Sequence, residues 1–470
     1  MQAYQDVFTI KEALETGKTT SYQLVKHYLS RIEKHDDYLN SLADLNADSL
    51  LEAKRLDHMR DNNQILGPLH GIPVIVKDNI LTKDSMRTTA NADVFKDFFA
   101  PFDATIIKKL RASGALILGK ANCSEFAYFM SMGTMPSGYG SMHGQVIHPY
   151  DKTMDPLGSS TGSAVSVAAG LCPISIGTET NGSLASPAQA NSVVTIKPTL
   201  GLLSRHGIIP ISRYQDTAGP MSLTVKDAAL MLDVLKGKDD KDPYTSLMPD
   251  TTPNYVKACA QDIKGLRLGV LSFENQEATP EEQALLEEAI TLFEQMGVII
   301  KPISLPYNLP NNLKTLIPEF KRDINQFLST LGTDAPVKSL EALIAYNKED
   351  PLRRLKYGQK HFQAAQLTDG RLKDSAYLKA KRAVEKAIDE FLKPFESERL
   401  DAVMTLKITG YAPMGGLPLV SVPAKALNDK KPLNLLFIGR HFSEETLLAL
   451  AHHYEQKTQK RIAPNLQKTS

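Results

Sequence analysis

Hydrophobic residues in the first part of the chain follow two different periods. Residues 20–32 and 104–114 carry apolar side chains at helical spacing. Between them, residues 69–76 form an unbroken apolar run rich in β-branched residues, which predicts a buried strand ending at Lys77. A second strand is predicted at 115–119. Alternation of this kind favours an α/β fold with a mixed, mostly parallel central sheet flanked by helices.

The pattern changes in the middle of the chain and returns near its end. Residues 235–262 are rich in lysine, aspartate and turn-forming residues, which predicts an excursion on the surface. Residues 310–395 are helical in pattern but polar and irregular, and we expect them to form a cap over a functional site. Apolar strands are predicted again from Ala402 onward, followed by a helix over 443–457.

We expect a single large domain, because α/β enzymes of this length often fold as one body. Four parts are distinguished along residues 1–470: an N-terminal helical part (1–65), a core (66–235), a variable part with a helical cap (236–400), and C-terminal strands and a helix (401–470).

Composition is that of an ordinary soluble globular protein, with 42% hydrophobic and 23% charged residues. The formal net charge of +1 leaves no large field of one sign, so neither nucleic acid nor an acidic membrane is expected as a partner. The N-terminus lacks the pattern of a signal peptide, and no apolar run approaches the roughly 20 residues of a membrane span. We therefore expect a cytoplasmic protein.

Three cysteines, isolated along the chain, offer no metal-ligand spacing and no disulfide framework. Cys172 lies within an apolar run and is predicted to be a small buried hydrophobic residue. The sequence thus predicts neither a metal site nor a cofactor.

A lysine at a strand end is the first candidate for chemistry. Lys77 follows the apolar part of segment 71–79, where burial could keep its amine neutral. Serine is a poor nucleophile that needs a base, and a lysine serves only if its pKa falls from about 10.4 to near 7. Such a shift corresponds to about 4–5 kcal/mol and would come from burial or neighbouring donors. The alternative is a lysine that extends to solvent or pairs with Asp78.

A Gly/Ser loop at residues 158–163 contains Ser159 and Ser160. Common alternatives for such a loop are a flexible turn or a helix cap. A phosphate-binding loop is not supported, since no Gly-Lys-Ser/Thr follows. Gly158-x-Ser160-x-Gly162 also fits the nucleophile elbow of α/β-hydrolases, but that motif follows a strand, and the residues before this one are turn-like.

A third segment, residues 177–184, holds Ser183 directly after Gly182. A glycine here suits a tight turn that presents several backbone N–H groups to one point, and such a turn can form an oxyanion hole. The alternative is an ordinary connection between a strand and a turn. Two serines and one lysine, each in a Gly-rich setting and in this order, indicate a serine hydrolase without a histidine base.

Together these segments resemble those of the amidase signature family, whose catalytic set is Ser–cis-Ser–Lys. The surroundings of Lys77, Ser159 and Ser183 are similar to the family's lysine, bridging-serine and signature blocks. The resemblance covers residues 10–230 and 400–465 well and the middle only loosely. It implies the amidase signature fold, in one amidase signature domain.

The resemblance implies that Ser183 is the nucleophile, that Ser159 is the bridging serine after a cis peptide bond, and that Lys77 is the base. The two serines are 24 residues apart, in agreement with the family's usual spacing. In the family's scheme Lys77 deprotonates Ser159, which relays to Ser183 as it attacks the amide carbonyl. The oxyanion would be held by the backbone around three further residues, Thr180, Asn181 and Gly182.

Several positions depart from the family's commoner pattern. Leu157, Thr161 and Asn181 stand where glycines are common, and Ala185 stands where many members carry arginine. These variants resemble the stand-alone, peptide-amidase-like branch more than the A subunit of glutamyl-tRNA(Gln) amidotransferase.

The resemblance implies an amidase that hydrolyses a small-molecule or peptide carboxamide to a carboxylate and ammonia or an amine, with neither metal nor cofactor. Two alternatives stay open. The first is the glutamine-hydrolysing A subunit of a tRNA-dependent amidotransferase, which would act only with partner subunits. The second is a catalytically silent binding protein on the same scaffold. A homo-oligomer is compatible with the sequence.

In the family, the acyl pocket is shaped by the variable middle and by loops around 125–145. Aromatic and methionine side chains cluster in that region here: Phe126, Tyr128, Phe129, Met130, Met132 and Met135. Such clusters are more often core than pocket. A moderately apolar acyl group is therefore only weakly indicated.

Overall fold

The computed structural model describes residues 4–131, 133–274, 278–425 and 432–466. Its strands are β1 (Leu42–Leu45), β2 (Pro73–Lys77), β3 (Leu116–Ala121), β4 (Tyr139–Gly140), β5 (Gly144–Gln145), β6 (Ile174–Glu179), β7 (Val194–Lys197), β8 (Thr217–Ser222), β9 (Arg267–Phe273), β10 (Ile299–Leu305), β11 (Ala402–Thr405), β12 (Leu419–Pro423) and β13 (Asn434–Ile438).

Its helices are α1 (Val7–Glu15), α2 (Ser21–Leu39), α3 (Ser49–Asp61), α4 (Thr105–Ala112), α5 (Thr161–Ala168), α6 (Ala185–Ala190), α7 (Val225–Leu235), α8 (Tyr255–Ala258), α9 (Pro280–Gln295), α10 (Leu313–Thr330), α11 (Leu340–Glu349), α12 (Pro351–Arg354), α13 (Lys360–Gln366), α14 (Ser375–Ser397), α15 (Tyr411–Met414) and α16 (Glu444–Thr458).

Eleven strands of the described residues form one continuous sheet, in the order β1-β3-β2-β6-β8-β7-β12-β13-β11-β9-β10. β4 and β5 form a separate small hairpin. Helices pack against the sheet, with α16 against β12 and α5 against β6. The predicted fold class is confirmed: this is one large α/β domain around a mixed sheet flanked by helices.

Parallel strands lie towards the two ends of the sheet, and antiparallel strands lie in its middle. β2 is parallel to both β3 and β6, and β9 is parallel to both β11 and β10. The other six neighbouring pairs in the described sheet are antiparallel. Parallel pairs therefore do not predominate across the whole sheet, because β7, β8, β12 and β13 reverse the direction in the middle.

Apolar runs in the sequence locate β2, β3, β6 and β9–β13, but they miss β1, β7, β8 and the two strands of the small hairpin, β4 and β5. β8 contains Gly219 and Pro220, which argue against a central strand when only the sequence is considered. In the fold, β8 pairs with β6 along its whole length, from Ile174 opposite Ser222 to Glu179 opposite Thr217. Long-range pairing thus overrides the local signal.

The helices of residues 313–366 pack into a second hydrophobic cluster beside the main core. Phe320 on α10 stacks on Phe362 on α13, with ring centroids 5.1 Å apart. Phe126, in the loop after β3, meets the edge of the same Phe362 ring at 5.1 Å. Through this cluster, the helices of residues 313–366 pack against the loop that follows β3.

Two expectations from composition can be compared with the structure. All three cysteines are buried free thiols, and Cys172 is 1% exposed, as predicted for a small hydrophobic residue. Across the described ranges, no helix has both the length and the hydrophobicity needed to cross a membrane.

Candidate active site

The candidate catalytic residues meet where two parallel strands end. β2 and β6 are neighbours in the sheet, with Val76 opposite Ile176. Lys77 is the last residue of β2, and Thr178 and Glu179 are the last residues of β6. The carboxyl ends of parallel strands form the usual ligand-binding edge of an α/β sheet. The fold therefore brings the lysine segment and the signature segment to one edge.

Lys77 is buried among hydroxyl groups. Its Nζ donates to the hydroxyl oxygens of Ser159 at 2.7 Å, Thr178 at 2.9 Å and Ser160 at 3.0 Å. Its side chain has no exposed surface, and burial lowers the pKa of Lys77 to about 8, because the ammonium group loses its hydration. Near that pH a large fraction of the amine is neutral and able to accept a proton.

The alternative interpretations of this lysine are wrong. Lys77 does not reach solvent, and in the described structure it forms no ion pair with Asp78. The Asp78 carboxylate instead accepts the backbone N–H of Thr89 at 3.0 Å.

The Gly/Ser loop lies directly before α5, and the peptide bond between Gly158 and Ser159 is cis. Ser160 Oγ donates to the carbonyl oxygen of Thr178 at 2.8 Å and accepts its backbone N–H at 3.1 Å. This approach requires Gly177, since a Cβ there would lie 2.8 Å from Ser160 Cβ. Ser160 is therefore held by the backbone of β6, and Ser159 is the hydroxyl closest to the lysine amine.

A tight turn between β6 and α6 carries Ser183. Gly182 adopts a φ of 90°, a left-handed conformation that residues with side chains rarely adopt. The backbone N–H of Ser160 donates to the carbonyl oxygen of Ser183 at 3.2 Å, so the two serine segments lie side by side. Ser183 is 9% exposed, whereas Ser159 has no exposed surface. Of these two serines, Ser183 is thus the more accessible to a ligand.

Glu179 holds the far end of this turn. Its Oε2 accepts the backbone N–H groups of Leu184 at 2.7 Å and Ala185 at 3.1 Å, where α6 begins. Backbone N–H groups at a helix start have no partner within the helix, and a carboxylate is a favourable acceptor for them.

Thr180, the first residue of the turn, is held by the residues before β8. Its hydroxyl donates to Asp216 Oδ1 at 2.5 Å, and Gln215 Nε2 donates to its carbonyl oxygen at 3.0 Å. Asp216 also accepts the backbone N–H groups of Ile211 at 2.8 Å and Ser212 at 2.9 Å. Burial raises the pKa of Asp216 to about 7, although these hydrogen bonds act in the opposite direction.

The other two residues predicted for the oxyanion turn lie at its tip. The Asn181 side chain is exposed, and Gly182 borders the same cavity as Asn181. Three further polar residues support the site but received no role from the sequence: Thr178, Glu179 and Asp216. Thr178 and Glu179 are buried polar residues at the end of the apolar strand β6, and that position is the signal that could have identified them. Asp216 precedes β8, a strand that the sequence pattern does not reveal, so no such signal marks it.

Most of the described residues of the aromatic and methionine cluster are buried, as expected for core. Phe126, Phe129 and Met130 are buried in the second hydrophobic cluster with α10 and α13. Met135 is also buried, and its carbonyl oxygen accepts the Tyr128 hydroxyl at 2.7 Å. Met132 lies outside the described residues. In the described ranges, no group of three or more histidine, cysteine or acidic side chains is arranged to hold a metal ion.

Comparisons with known proteins identify the family of this chain. The sequence model of the amidase family matches residues 23–414. A probable amidase of Arabidopsis thaliana is 36% identical over 479 aligned residues, which cover 97% of this chain and 90% of that protein. The A subunit of glutamyl-tRNA(Gln) amidotransferase from Koribacter versatilis is 31% identical, with 94% of this chain and 96% of that protein covered. The X-ray structure of native peptide amidase from Stenotrophomonas maltophilia superposes with a TM-score of 0.91 at 35% identity, over 98% of both chains. This chain therefore belongs to the amidase family and is an amidase, a hydrolase that acts on amide bonds.

Proposed function

We propose that the chain hydrolyses a carboxamide through an acyl-enzyme on Ser183, with Lys77 and Ser159 carrying the protons. The observation that supports this most is the contact between Lys77 Nζ and Ser159 Oγ, at 2.7 Å and without solvent exposure. Burial brings the pKa of Lys77 to about 8, close enough to neutral pH for general-base catalysis.

When Ser183 attacks, protons pass from Ser183 through Ser159 to Lys77, and they pass back when the leaving group departs. Neutral Lys77 accepts the proton of Ser159 Oγ as Ser159 accepts the proton of Ser183. Ser183 Oγ then bonds to the amide carbon, and the C–N bond breaks as the leaving nitrogen takes the proton back through Ser159. A water molecule attacks the acyl-enzyme along the same relay, which releases the carboxylate and restores Ser183.

Backbone N–H groups of the turn would hold the negative oxygen of the tetrahedral intermediate. Two residues frame this turn: Thr180, anchored by Asp216 at 2.5 Å, and Leu184, anchored by Glu179 at 2.7 Å. Donors that are already in position cost no rearrangement when the charge develops. The oxyanion hole is thus assigned to Thr180, Asn181 and Gly182, with Ser183 between them and α6.

We also propose that the helical part of residues 236–400, which includes α10, forms a cap beside the site. Ser212 Oγ donates to Glu319 Oε2 of α10 at 2.5 Å, and the backbone N–H of Arg213 donates to Asp323 Oδ2 at 2.7 Å. Ser212 is also a donor to Asp216, so α10 connects to the turn through a short chain of hydrogen bonds.

The free thiols support a reducing, cytoplasmic location.

A second candidate function is the A subunit of a tRNA-dependent amidotransferase. The similarity to the Koribacter versatilis subunit over 94% of this chain favours it. That function predicts glutamine as the substrate and activity only with partner subunits. The stand-alone function is preferred because the departures at Asn181 and Ala185 resemble the peptide-amidase-like branch.

The test is ammonia release by the purified chain alone. The panel holds glutamine, peptide C-terminal amides, and short aliphatic and aryl amides. Ser183→Ala is expected to reduce turnover by about 1,000-fold or more, whereas Ser160→Ala is expected to retain more activity. Full activity in Ser183→Ala would move the nucleophile to Ser160. If the unmodified chain releases ammonia from none of these amides, the amidotransferase A subunit or a catalytically silent binding protein is favoured.

A further inference from the structure

A small cavity of about 20 Å³ lies beside the residues that surround Lys77. Thr178, whose hydroxyl accepts a hydrogen bond from Lys77 Nζ at 2.9 Å, lines this cavity, and so does Asn79. A cavity needs about 10–15 Å³ to hold one water molecule. The size of this one therefore indicates a single water molecule and not a substrate.

The amide of Asn79 is buried and only partly paired. Asn79 is 2% exposed, and its Nδ2 donates to Thr178 Oγ1 at 3.0 Å. Its Oδ1 has no hydrogen-bond partner within the described part of the chain. The backbone cannot easily turn this side chain away, because the Asn79 carbonyl oxygen accepts the N–H of Ile209 at 2.9 Å. Buried polar atoms are normally paired, so the unpaired oxygen is a second observation that indicates a bound water.

The hydroxyl of Thr178 also needs a partner for its proton. Its oxygen accepts hydrogen bonds from Lys77 Nζ and Asn79 Nδ2, and among the described residues no hydrogen bond has this hydroxyl as the donor. A water molecule in the cavity can accept the Thr178 proton and donate one of its own to Asn79 Oδ1. The amide, the hydroxyl and the water then form a closed ring of three hydrogen bonds.

The opposite orientation of the amide leads to the same result. Asn79 Oδ1 would then accept the Thr178 proton directly, and Nδ2 would donate to the water. In both orientations the Thr178 proton is held on the side of Asn79.

The place of this proton matters when Lys77 is neutral. An ammonium group has three protons for the three hydroxyl groups around it, whereas a neutral amine has two protons and one lone pair. One hydroxyl must then donate to the lone pair. Ser160 already donates to the Thr178 carbonyl oxygen at 2.8 Å. The two remaining candidates are Ser159 and Thr178.

We propose that Asn79 is a positioning residue for Lys77 and that it acts together with one water molecule bound in the small cavity. The two hold the Thr178 proton, so that Ser159 alone donates to the neutral amine. Ser159 is the hydroxyl that the relay requires, because it takes over the proton of Ser183. This inference rests on the proposed function, since it takes Lys77 as the base.

Asn79→Leu tests the role of the amide. Leucine is close to asparagine in size, but it holds neither the Thr178 proton nor a water molecule. We expect kcat on an uncharged amide to fall by about tenfold or more. KM should stay within about threefold, because Asn79 acts on Lys77 and not on the substrate. An unchanged kcat, or a rise in KM that accounts for the whole loss in kcat/KM, would overturn the proposal.

Asn434→Leu is the matched control. Asn434 is also a fully buried asparagine whose Nδ2 donates to a hydroxyl, that of Ser421 at 2.9 Å, and whose Oδ1 has no partner within the described residues. It contacts Val193, just before β7 begins. β6 and β7 run in the same direction, since both are antiparallel to β8, so Asn434 lies at the end of the strands opposite the candidate site. We expect a similar loss of stability with kcat within about twofold, and an equal loss of kcat in both variants would refute the specific role of Asn79.

A double variant shows whether Asn79 acts through Thr178. In Thr178→Val there is no hydroxyl proton to hold, so adding Asn79→Leu should change kcat by less than about twofold. Losses that multiply in the double variant would show that Asn79 acts by another route, and the proposal would be wrong.

Two readouts distinguish failure of this inference from failure of the proposed function. A crystal structure of the unmodified protein should show one ordered water within about 3.2 Å of the Asn79 amide and of Thr178 Oγ1, and Asn79→Leu should lack it. A cavity without water in the unmodified protein overturns the inference, even if Ser183-dependent turnover is found. The rate at which phenylmethanesulfonyl fluoride labels Ser183 replaces kcat if no amide of the panel is hydrolysed. Asn79→Leu should slow this labelling by about tenfold or more, and an unchanged rate overturns the inference.

Discussion

Lys77 Nζ lies 2.7 Å from Ser159 Oγ, and neither side chain has exposed surface. The lysine ends one strand and the serine precedes a helix that starts 84 residues later in the chain, at Thr161. Burial makes the charged ammonium form costly, so the lysine holds its proton less tightly than it would in water. The contact therefore joins a hydroxyl to an amine that can accept its proton.

Lys77→Met should abolish turnover while preserving the fold. Methionine is close to lysine in length and is accepted in a buried site, but it cannot take a proton. We expect a loss in kcat of about 1,000-fold or more, with an unfolding midpoint no lower than that of the unmodified enzyme. Ammonia release and thermal unfolding of the same preparation measure both. A loss of less than tenfold would show that Lys77 is not the base.

The rate should rise with pH as Lys77 loses its proton. In the proposed mechanism the active form is the neutral amine, so kcat/KM on an uncharged amide is expected to increase up to an apparent pKa near 8. Well below that pH, each unit of acidification should lower kcat/KM about tenfold. A profile that is flat from pH 6 to 9 would contradict the assignment of Lys77 as the base.

Thr180→Val should impair catalysis more than folding. The change removes the hydroxyl that donates to Asp216 at 2.5 Å, so the first residue of the proposed oxyanion turn keeps only the hydrogen bond from Gln215. We expect kcat to fall by about tenfold to a hundredfold with a smaller change in KM.

The matched control for this change is Thr195→Val. Thr195 is a buried threonine on β7 whose hydroxyl donates to the Pro220 carbonyl oxygen at 2.8 Å. It should lower stability by a similar amount and leave kcat within about twofold. Equal losses of kcat in both variants would show that Thr180 acts only through stability.

Asp227→Asn should reduce the loss of stability that occurs as pH rises from about 5 to 8. Asp227 is fully buried on α7 and accepts the backbone N–H of Val7 at 3.0 Å, and burial raises its pKa to about 8. The folded protein therefore holds this proton where the unfolded chain has lost it, so the carboxyl contributes less stability as pH rises from about 4 to 8.

Urea unfolding at pH 5 and pH 8 measures the effect. The fall in the free energy of unfolding between these pH values should be smaller in Asp227→Asn than in the unmodified protein, by about 1–3 kcal/mol. Asp61→Asn, at an exposed position on α3, is the matched control and should leave the fall unchanged. An identical fall in all three proteins would refute the account of Asp227.

Much of the candidate site can be predicted from sequence because its motifs are local. The β-branched run of β2 predicts burial at Lys77, and Gly182 predicts a tight turn before Ser183. The Gly/Ser loop around Ser159 is recognisable by the same kind of composition. Each of these signals depends on only a few neighbouring residues.

The relative direction and pairing of the strands are harder to predict from the sequence. Hydrophobic periodicity reports which residues are buried, and it does not report which strand lies alongside. β8 illustrates this, since Gly219 and Pro220 hide a strand that pairs with the whole of β6. That pairing also places Asp216 beside Thr180, a contact that no local pattern contains.

The sequence alone determined the α/β class, the apolar strand that ends at Lys77 and the Gly-rich settings of Ser159 and Ser183, since these follow from the chemistry of adjacent residues. Only the tertiary structure decided that Thr178 contacts the lysine and that Asp216 anchors the turn. The reason is physical. Hydrophobic burial is non-directional, so it establishes that segments collapse together, while the partners of each polar group depend on how distant strands and loops pair.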